Sequence, residues 1–311
     1  MPKFSKPIAI VNPNSANGST RKQWPRIEAL LRESIGEFET AFTKSQGDAT
    51  PLALDAAKRG CDLVISVGGD GTNNEVVNGL LAEGAPAIGP ALGFVPRGTG
   101  GDLRKTLQIP NIVEEAVKIL AAGKPRKIDA GRMTITGHDG RPVVRHYINI
   151  TSFGIGGLVD QKVNCSTKAL GGKMSFFIGT AKALMQYSNQ LIRISFVDGA
   201  PEEMRVNNVA VANGKFFGGG MMIAPEASLY DGLFDVVILG DMTKLEMMKN
   251  GSKVYTGTHM PHPKIRHLRA RKVVAEPVNP ADKVLLDVDG EAPGMLPATF
   301  EVLPGALTVI A

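Results

Sequence analysis

Two textures of apolar patterning divide this chain near residue 130. In the first part, short apolar runs alternate with stretches whose apolar residues recur every three or four positions. The runs at 7–11, 37–42, 63–67 and 87–95 predict strands. The stretches at 23–35, 49–58, 73–81, 101–107 and 111–120 predict helices. Within 23–35, Trp24, Ile27, Leu31 and Ile35 share one helical face. Asn111 and Glu114 have the spacing of a capping box. Strand alternating with helix is the pattern of a parallel sheet covered by helices.

After Lys127-Ile128-Asp129 the strands dominate. Runs at 133–136, 143–150, 191–197, 208–212, 234–239, 264–274, 283–288, 299–303 and 306–310 predict strands, with turns such as 197–199 and 239–241 between them. Helices near 173–187 and 244–254 interrupt the series. The fold expected is an α/β N-terminal domain with a mainly parallel sheet over 1–130. A mainly antiparallel β-sandwich follows over 131–311. There is no internal repeat and no low-complexity tract.

Composition narrows the function classes. At 311 residues the chain is long enough for two cores. Aromatic residues make up 5% and there is one Trp, which argues against a base-stacking nucleic-acid surface. The net charge of +5 suits an acidic partner such as a nucleotide or an anionic membrane surface. Two cysteines, Cys61 and Cys165, are too few for a disulfide framework and favour a reducing compartment. The apolar run at 8–11 is too short for a signal-peptide core, and no run approaches the ~18 residues of a span. A cytoplasmic protein, peripheral where it meets a membrane, is expected.

The chemistry gathers at strand ends. The run at 63–67 leads into Gly68-Gly69-Asp70-Gly71-Thr72, where a helical pattern begins. Glycines remove β-carbons that would hold a ligand off the backbone, and they permit positive φ. Thr72 suits an N-cap. A strand, a glycine turn and a helix start make a phosphate-type site. Asp70 at its centre points to a cation or a proton transfer. Two further loops follow strands: Asn12-Pro13-Asn14-Ser15-Ala16-Asn17-Gly18, and Pro96-Arg97-Gly98-Thr99-Gly100-Gly101-Asp102. Ligands bind at such ends in open α/β sheets. No Walker-type lysine loop and no complete Gly-x-Gly-x-x-Gly is present. The second half adds the glycine-rich loop 213–220, the segment Ala224 to Asp235, and the acidic turn Asp287-Val288-Asp289-Gly290-Glu291.

Together these motifs resemble the diacylglycerol kinase catalytic family, especially the soluble bacterial lipid kinases related to sphingosine and ceramide kinases. The likeness runs through Asn12-Pro13-x-Ser15, Thr43, Gly68 to Thr72 with Asn74-Glu75, Gly98-Thr99-Gly100 and Asp129. It continues through Gly218 to Gly220, Pro225-x-Ala227, Asp231-Gly232 and Asp289-Gly290-Glu291. The resemblance implies an NAD kinase/diacylglycerol kinase-like fold and an ATP-dependent lipid kinase. Its acceptor would be the hydroxyl of a diacylglycerol-like or sphingoid lipid. It places ATP on Asn12, Pro13, Asn14, Ser15, Ala16, Thr43, Gly68, Gly69, Asp70, Gly71, Thr72, Asn73, Asn74, Gly98 and Thr99. Glu291 matches the general base, and Asp70 matches the acid near the phosphates and catalytic Mg2+. Ser228, Asp231 and Leu233 match a structural Mg2+ site, a hard-oxygen donor set.

The chain departs from the family pattern at Gly101, where Asn is usual, and at Ala16, where Gly is usual. An NAD kinase-like enzyme and a non-catalytic nucleotide- or lipid-binding regulator are the alternatives. A homodimer is left open, and no nucleic-acid partner is expected. Met174, Met221, Met222, Met242, Met247, Met248 and Phe176-Phe177 suit either core or an acyl-chain pocket. Lys264, Arg266, Arg269, Arg271 and Lys272 suit either anionic headgroups or a solvated strand. His259 and His262 read as loop residues, not as a metal site.

Overall fold

Buried strands and one-sided helices form the first of two compact units. A computed structural model describes residues 4–85, 88–98, 100–158, 187–196 and 199–311. Unit 1 holds Met1–Ala130 and Pro304–Ala311, and unit 2 holds Gly131–Leu303. In unit 1, β1 (Pro7–Val11), β2 (Glu39–Phe42), β3 (Leu63–Gly68) and β4 (Ala91–Pro96) pair in parallel in the order β2-β1-β3-β4. β1 and β3 are buried along their whole length, as strands covered on both faces must be. The helices are α1 (Ser19–Ile35), α2 (Ala49–Lys58), α3 (Asp70–Leu80), α4 (Asp102–Thr106) and α5 (Val113–Ala122). The predicted α1 face packs on the sheet: Trp24, Ile27, Leu31 and Ile35 cluster with Val11, Ile65, Val67 and Leu120.

Unit 2 is a sandwich. One sheet is antiparallel in the order β12 (Ile265–Ala270), β11 (Phe234–Leu239), β10 (Asn208–Ala212), β7 (Ile150–Gly154), β14 (Leu286–Val288). The other layer is built from β13 (Lys272–Pro277), β8 (Gln190–Phe196) and β9 (Glu202–Val206), with β5 (Pro125–Gly137), β6 (Pro142–Tyr147) and β15 (Gly294–Ile310). Side chains from both layers make one core. Within it Tyr147 stacks on Phe234 at 5.7 Å and Phe153 on Phe300 at 6.0 Å. Helix α6 (Lys244–Thr256) starts at a complete capping box of Thr243 and Glu246.

The elements differ from the expected ones where an expected strand crosses a layer boundary. The run at 143–150 is divided between β6 and β7, and the run at 264–274 between β12 and β13. Each pair belongs to different sheets, a change that apolar character does not record. The runs at 299–303 and 306–310 are one strand, β15, despite Pro304-Gly305. Its end pairs in parallel with β4 through Val309 and Leu92. The last eight residues therefore belong to unit 1, where the sequence had placed them with 131–311. No capping box forms at Asn111: the N-cap of α5 is Ile112, without a side-chain bond, and Glu114 pairs with Arg26. Strand β9, rich in charge, was not foreseen. The helix expected near 173–187 lies outside the described residues except for Tyr187, as do Cys165, Met174, Phe176 and Phe177.

The return of the chain to unit 1 has a specific clasp. Gly305 adopts φ 58, and its N–H donates to Asp129 Oδ1 at 2.7 Å. Asp129 is 3% exposed. Asp129→Ala should leave the half-buried Gly305 N–H without this acceptor, at about 1–3 kcal/mol, and lower the urea midpoint. Asp129→Asn should keep most of the stability. An unchanged midpoint in the alanine variant would contradict this role.

Candidate active site

Three loops meet at the carboxyl ends of the unit 1 strands, and each pair of loops is joined. The first loop follows β1. Asn12 Nδ2 donates to Thr72 Oγ1 at 3.0 Å, which ties this loop to the β3–α3 turn. Ser15 Oγ donates to the Asn12 carbonyl at 2.8 Å and lies 2.7 Å from Thr20 Oγ1. The loop reverses through Ala16, Asn17 and Gly18, at φ 50, 55 and 79. Ala16 thus holds a left-handed conformation that costs an L-residue roughly 1–2 kcal/mol. Thr43, after β2, is buried, and its N–H donates to the Val11 carbonyl at 2.9 Å.

The glycines of the second turn serve close approach, not positive φ. None of Gly68, Gly69 and Gly71 has positive φ. A β-carbon on Gly68 would stand 2.5 Å from the Thr72 side chain. One on Gly98 would stand 2.7 Å from the Gly69 Cα, and one on Gly69 3.2 Å from the Gly98 Cα. The second and third loops therefore touch backbone to backbone. Thr72 is not the N-cap: α3 starts at Asp70 after an extended Gly69, and Thr72 lies one turn in. Asn73 and Asn74 face the protein, accepting from Ser66 Oγ at 2.7 Å and from Asn78 Nδ2 at 2.9 Å.

Asp70 has a structural role that local sequence does not show. Its carboxylate accepts the N–H groups of Gly101 at 2.8 Å, Asp102 at 3.2 Å and Leu103 at 3.4 Å. It thereby satisfies free amides at the start of α4. Burial pushes the Asp70 carboxyl above its ordinary range, the nearby Asp102 carboxylate adds to this, and the three amides oppose it. Glu75, on the same helix α3, accepts from Gly47 and Ala49 N–H at 2.9 and 3.0 Å and so holds the start of α2. Gly101 adopts φ 63, a region that Asn also tolerates, and Arg104 lies across it with Cγ, Cδ and Nε within 3.3 Å of the β-carbon position. Arg97 joins the third loop to the first through Ser19 Oγ at 2.9 Å and Thr20 Oγ1 at 3.3 Å. Thr99 lies outside the described residues.

In unit 2 the acidic turn is a two-residue reversal. Val288 and Glu291 exchange backbone hydrogen bonds at 2.7 and 3.0 Å around Asp289, at φ 48, and Gly290, at φ 89. Asp289 anchors the turn by accepting from the N–H groups of Ile150 at 3.0 Å and Ile148 at 3.4 Å. Asp287 Oδ1 accepts from Gly290 N–H at 2.9 Å. Two carboxylates thus fix the backbone that carries Glu291. Asp231 Oδ1 accepts from Leu233 N–H at 3.1 Å, its Oδ2 faces Arg269 at 3.7 Å, and Ser228 Oγ accepts from Tyr230 N–H at 3.3 Å. Beside them the buried Asp235 carries His267 at 2.6 Å and Arg269 at 3.7 Å. Among the described residues no three His, Cys, Asp or Glu side chains gather as a metal site. His259 is buried and donates from Nε2 to the Ile223 carbonyl at 3.0 Å, a packing role.

An α/β unit with converging strand-end loops, joined to an antiparallel sandwich, defines a class of kinase. Residues 6–133 match the model of the diacylglycerol kinase catalytic domain, and 149–311 match the YegS C-terminal NAD kinase beta sandwich-like domain. The diacylglycerol kinase of Bacillus subtilis is 31% identical over 94% of this chain and 91% of its own length. That of Staphylococcus carnosus is 29% identical over 94% and 90%. The crystal structure of a putative diacylglycerol kinase from Bacillus anthracis superposes with a TM-score of 0.78 at 27% identity, covering 99% of this chain and 97% of that one. The chain belongs to the diacylglycerol kinase catalytic family and is a kinase.

The loop junction makes a direct prediction. Gly98→Ala places a β-carbon against the Gly69 backbone, where no side chain can yield. It should destabilise unit 1 by about 1–3 kcal/mol, read as a lowered melting temperature. Ala16→Gly should raise stability, because the left-handed φ then carries no strain. A Gly98→Ala variant that melts like the parent would show that the loops do not depend on this contact.

Proposed function

We propose that the protein transfers the γ-phosphate of ATP to a hydroxyl of a diacylglycerol-like or sphingoid lipid. The observation that carries this is the three-loop junction of unit 1, in a chain whose relatives are named diacylglycerol kinase. Asn12 to Ala16, Thr43, Gly68 to Asn74, Gly98 and Thr99 hold the nucleotide. Strand-end amides and glycine backbone suit phosphate. In this reading the acceptor oxygen bonds to the γ-phosphorus, the bond from that phosphorus to the bridging oxygen breaks, and ADP leaves. Glu291 takes the hydroxyl proton. Most of the acceleration comes from positioning and charge neutralisation.

Magnesium fits the donor chemistry available. Asp231 with the carbonyls of Ser228 and Leu233 would hold a structural ion through hard oxygens, and Asp70 would face a catalytic one. The ion would supply neutralisation of phosphate charge. Arg269 already draws on Asp231, so the structural ion is expected to bind weakly. Asp231→Ala should therefore abolish a small magnesium-induced rise in melting temperature. A rise of the same size in the variant would contradict this ligand.

The deciding experiment incubates the protein with labelled ATP, magnesium, a lipid panel and NAD. Label in a lipid supports the proposal, and label in NAD alone overturns it. On the best lipid, Glu291→Gln should lower turnover by roughly two orders of magnitude or more, with ATP affinity little changed. Asp70→Asn keeps an acceptor for the α4 amides and should retain the fold while losing turnover. Near-normal turnover in Glu291→Gln would remove the base from this account.

A further inference from the structure

Helix α6 differs from an ordinary packed helix: none of its 13 residues is buried. Met247 and Val254 turn toward the cluster of Ile223, Ala227, Leu239 and Met242. On another side Leu245, Met248 and Tyr255 are exposed at 59%, 70% and 50%. With 3.6 residues per turn these three fall within an arc of about 80°. Lys244 borders that arc on one side, Lys249 and Lys253 on the other, and all three lysines are exposed. The helix has one acid, Glu246. Its carboxylate closes the capping box and accepts Lys264 Nζ at 2.8 Å, which holds its carboxyl down to about 2. The stripe thus holds three large apolar side chains and one small hydroxyl, Ser252, and is flanked by positive charge.

The helix is held firmly behind this face. Met222 N–H donates to the Val254 carbonyl at 2.8 Å, and α6 ends at Gly257 in the left-handed region. A β-carbon on Gly257 would stand 2.9 Å from Met222 Sδ, so the helix end is packed against the 222–225 segment. Single exposed apolar residues are common on soluble proteins. Three on one arc between lysines match a helix that lies in a membrane interface. The basic run at 264–272 is a poorer candidate, because four of its five cations, all but Arg271, are matched locally. Arg266 pairs with Glu202 at 2.8 Å, Lys272 with Glu301 at 2.9 Å, and Arg269 lies 3.7 Å from both Asp231 and Asp235.

We infer that α6 is the surface by which this protein docks on an anionic phospholipid bilayer, with Leu245, Met248 and Tyr255 entering the interface and Lys249 and Lys253 meeting headgroups. This rests on the lipid-kinase reading, since such a substrate resides in a bilayer. Among the described residues no helix is long and apolar enough to cross a membrane. Each lysine near an anionic surface is worth about fivefold in binding.

The test is co-sedimentation of the full chain with phosphatidylcholine vesicles, with and without phosphatidylglycerol. The parent should bind the anionic vesicles preferentially, and salt should weaken it. Lys249→Gln with Lys253→Gln should bind at least about tenfold more weakly. So should Leu245→Gln, Met248→Gln and Tyr255→Gln combined. Melting temperatures should hold, since no altered side chain is buried, and Arg266→Gln should bind like the parent. Parent-like binding by both α6 variants, or equal parental binding to both vesicle types, overturns the inference. So does a triple variant that loses a dimer yet binds vesicles normally, which would assign the face to a second copy. Turnover on a water-soluble short-chain diacylglycerol should be unchanged in the α6 variants. Absence of parental turnover on every lipid would defeat the lipid-kinase reading, while vesicle binding would still decide the role of α6.

Discussion

The contact between Gly69 and Gly98 is the constraint on which the rest of unit 1 depends. Two backbones can meet that closely only if Gly98 carries no β-carbon, and a β-carbon on Gly69 would already be tight. Once they meet, the amides at the start of α4 come within reach of Asp70, and Arg97 reaches the start of α1. Asn12 closes the third side through Thr72. Helix α3 also holds α2 through Glu75. The acids of α3 therefore act first as acceptors for other segments' backbone amides. Such bonds to ionised groups exceed neutral ones in strength. A loop set braced in this way is preorganised, which is what positioning-dominated phosphoryl transfer requires.

The sandwich solves the same problem by other means. Its turn at Asp289-Gly290 is fixed by two carboxylates, one within the turn and one on Asp287. The acidic run that reads as several candidate acids thus splits into two roles. Asp287 and Asp289 hold backbone, and the proposed reaction assigns the proton transfer to Glu291. Asp289 thus positions the backbone next to Glu291. Removing it would disturb the turn that carries Glu291.

Much of unit 1 was legible because its signals are local. Buried strands such as β1 and β3 are continuous apolar runs, and the α1 face repeats at the helical period. Three loops at strand ends were readable from their glycines, but the reason for those glycines was not. Close approach between Gly69 and Gly98 is a contact between segments far apart in sequence. The same holds for Asp70, whose partners lie thirty-one to thirty-three positions away. In the sandwich, β12 and β13 read as one strand because the mixture of apolar and basic residues at 264–274 does not mark a change of sheet at Arg271. Strand β9 was illegible because Glu202 to Val206 is mostly charged. Met248, which reads from the sequence as core or as part of an acyl-chain pocket, is instead exposed on the outward face of α6.

The central claim is that the three loops of unit 1 form a single nucleotide grip. Amide hydrogen exchange with and without ATP and magnesium tests it most directly. The account predicts slowed exchange on nucleotide addition at 12–18, 68–74 and 98–103 together, with the core amides of β10 and β11 unchanged. Protection confined to one loop, or appearing only in the sandwich, would contradict it.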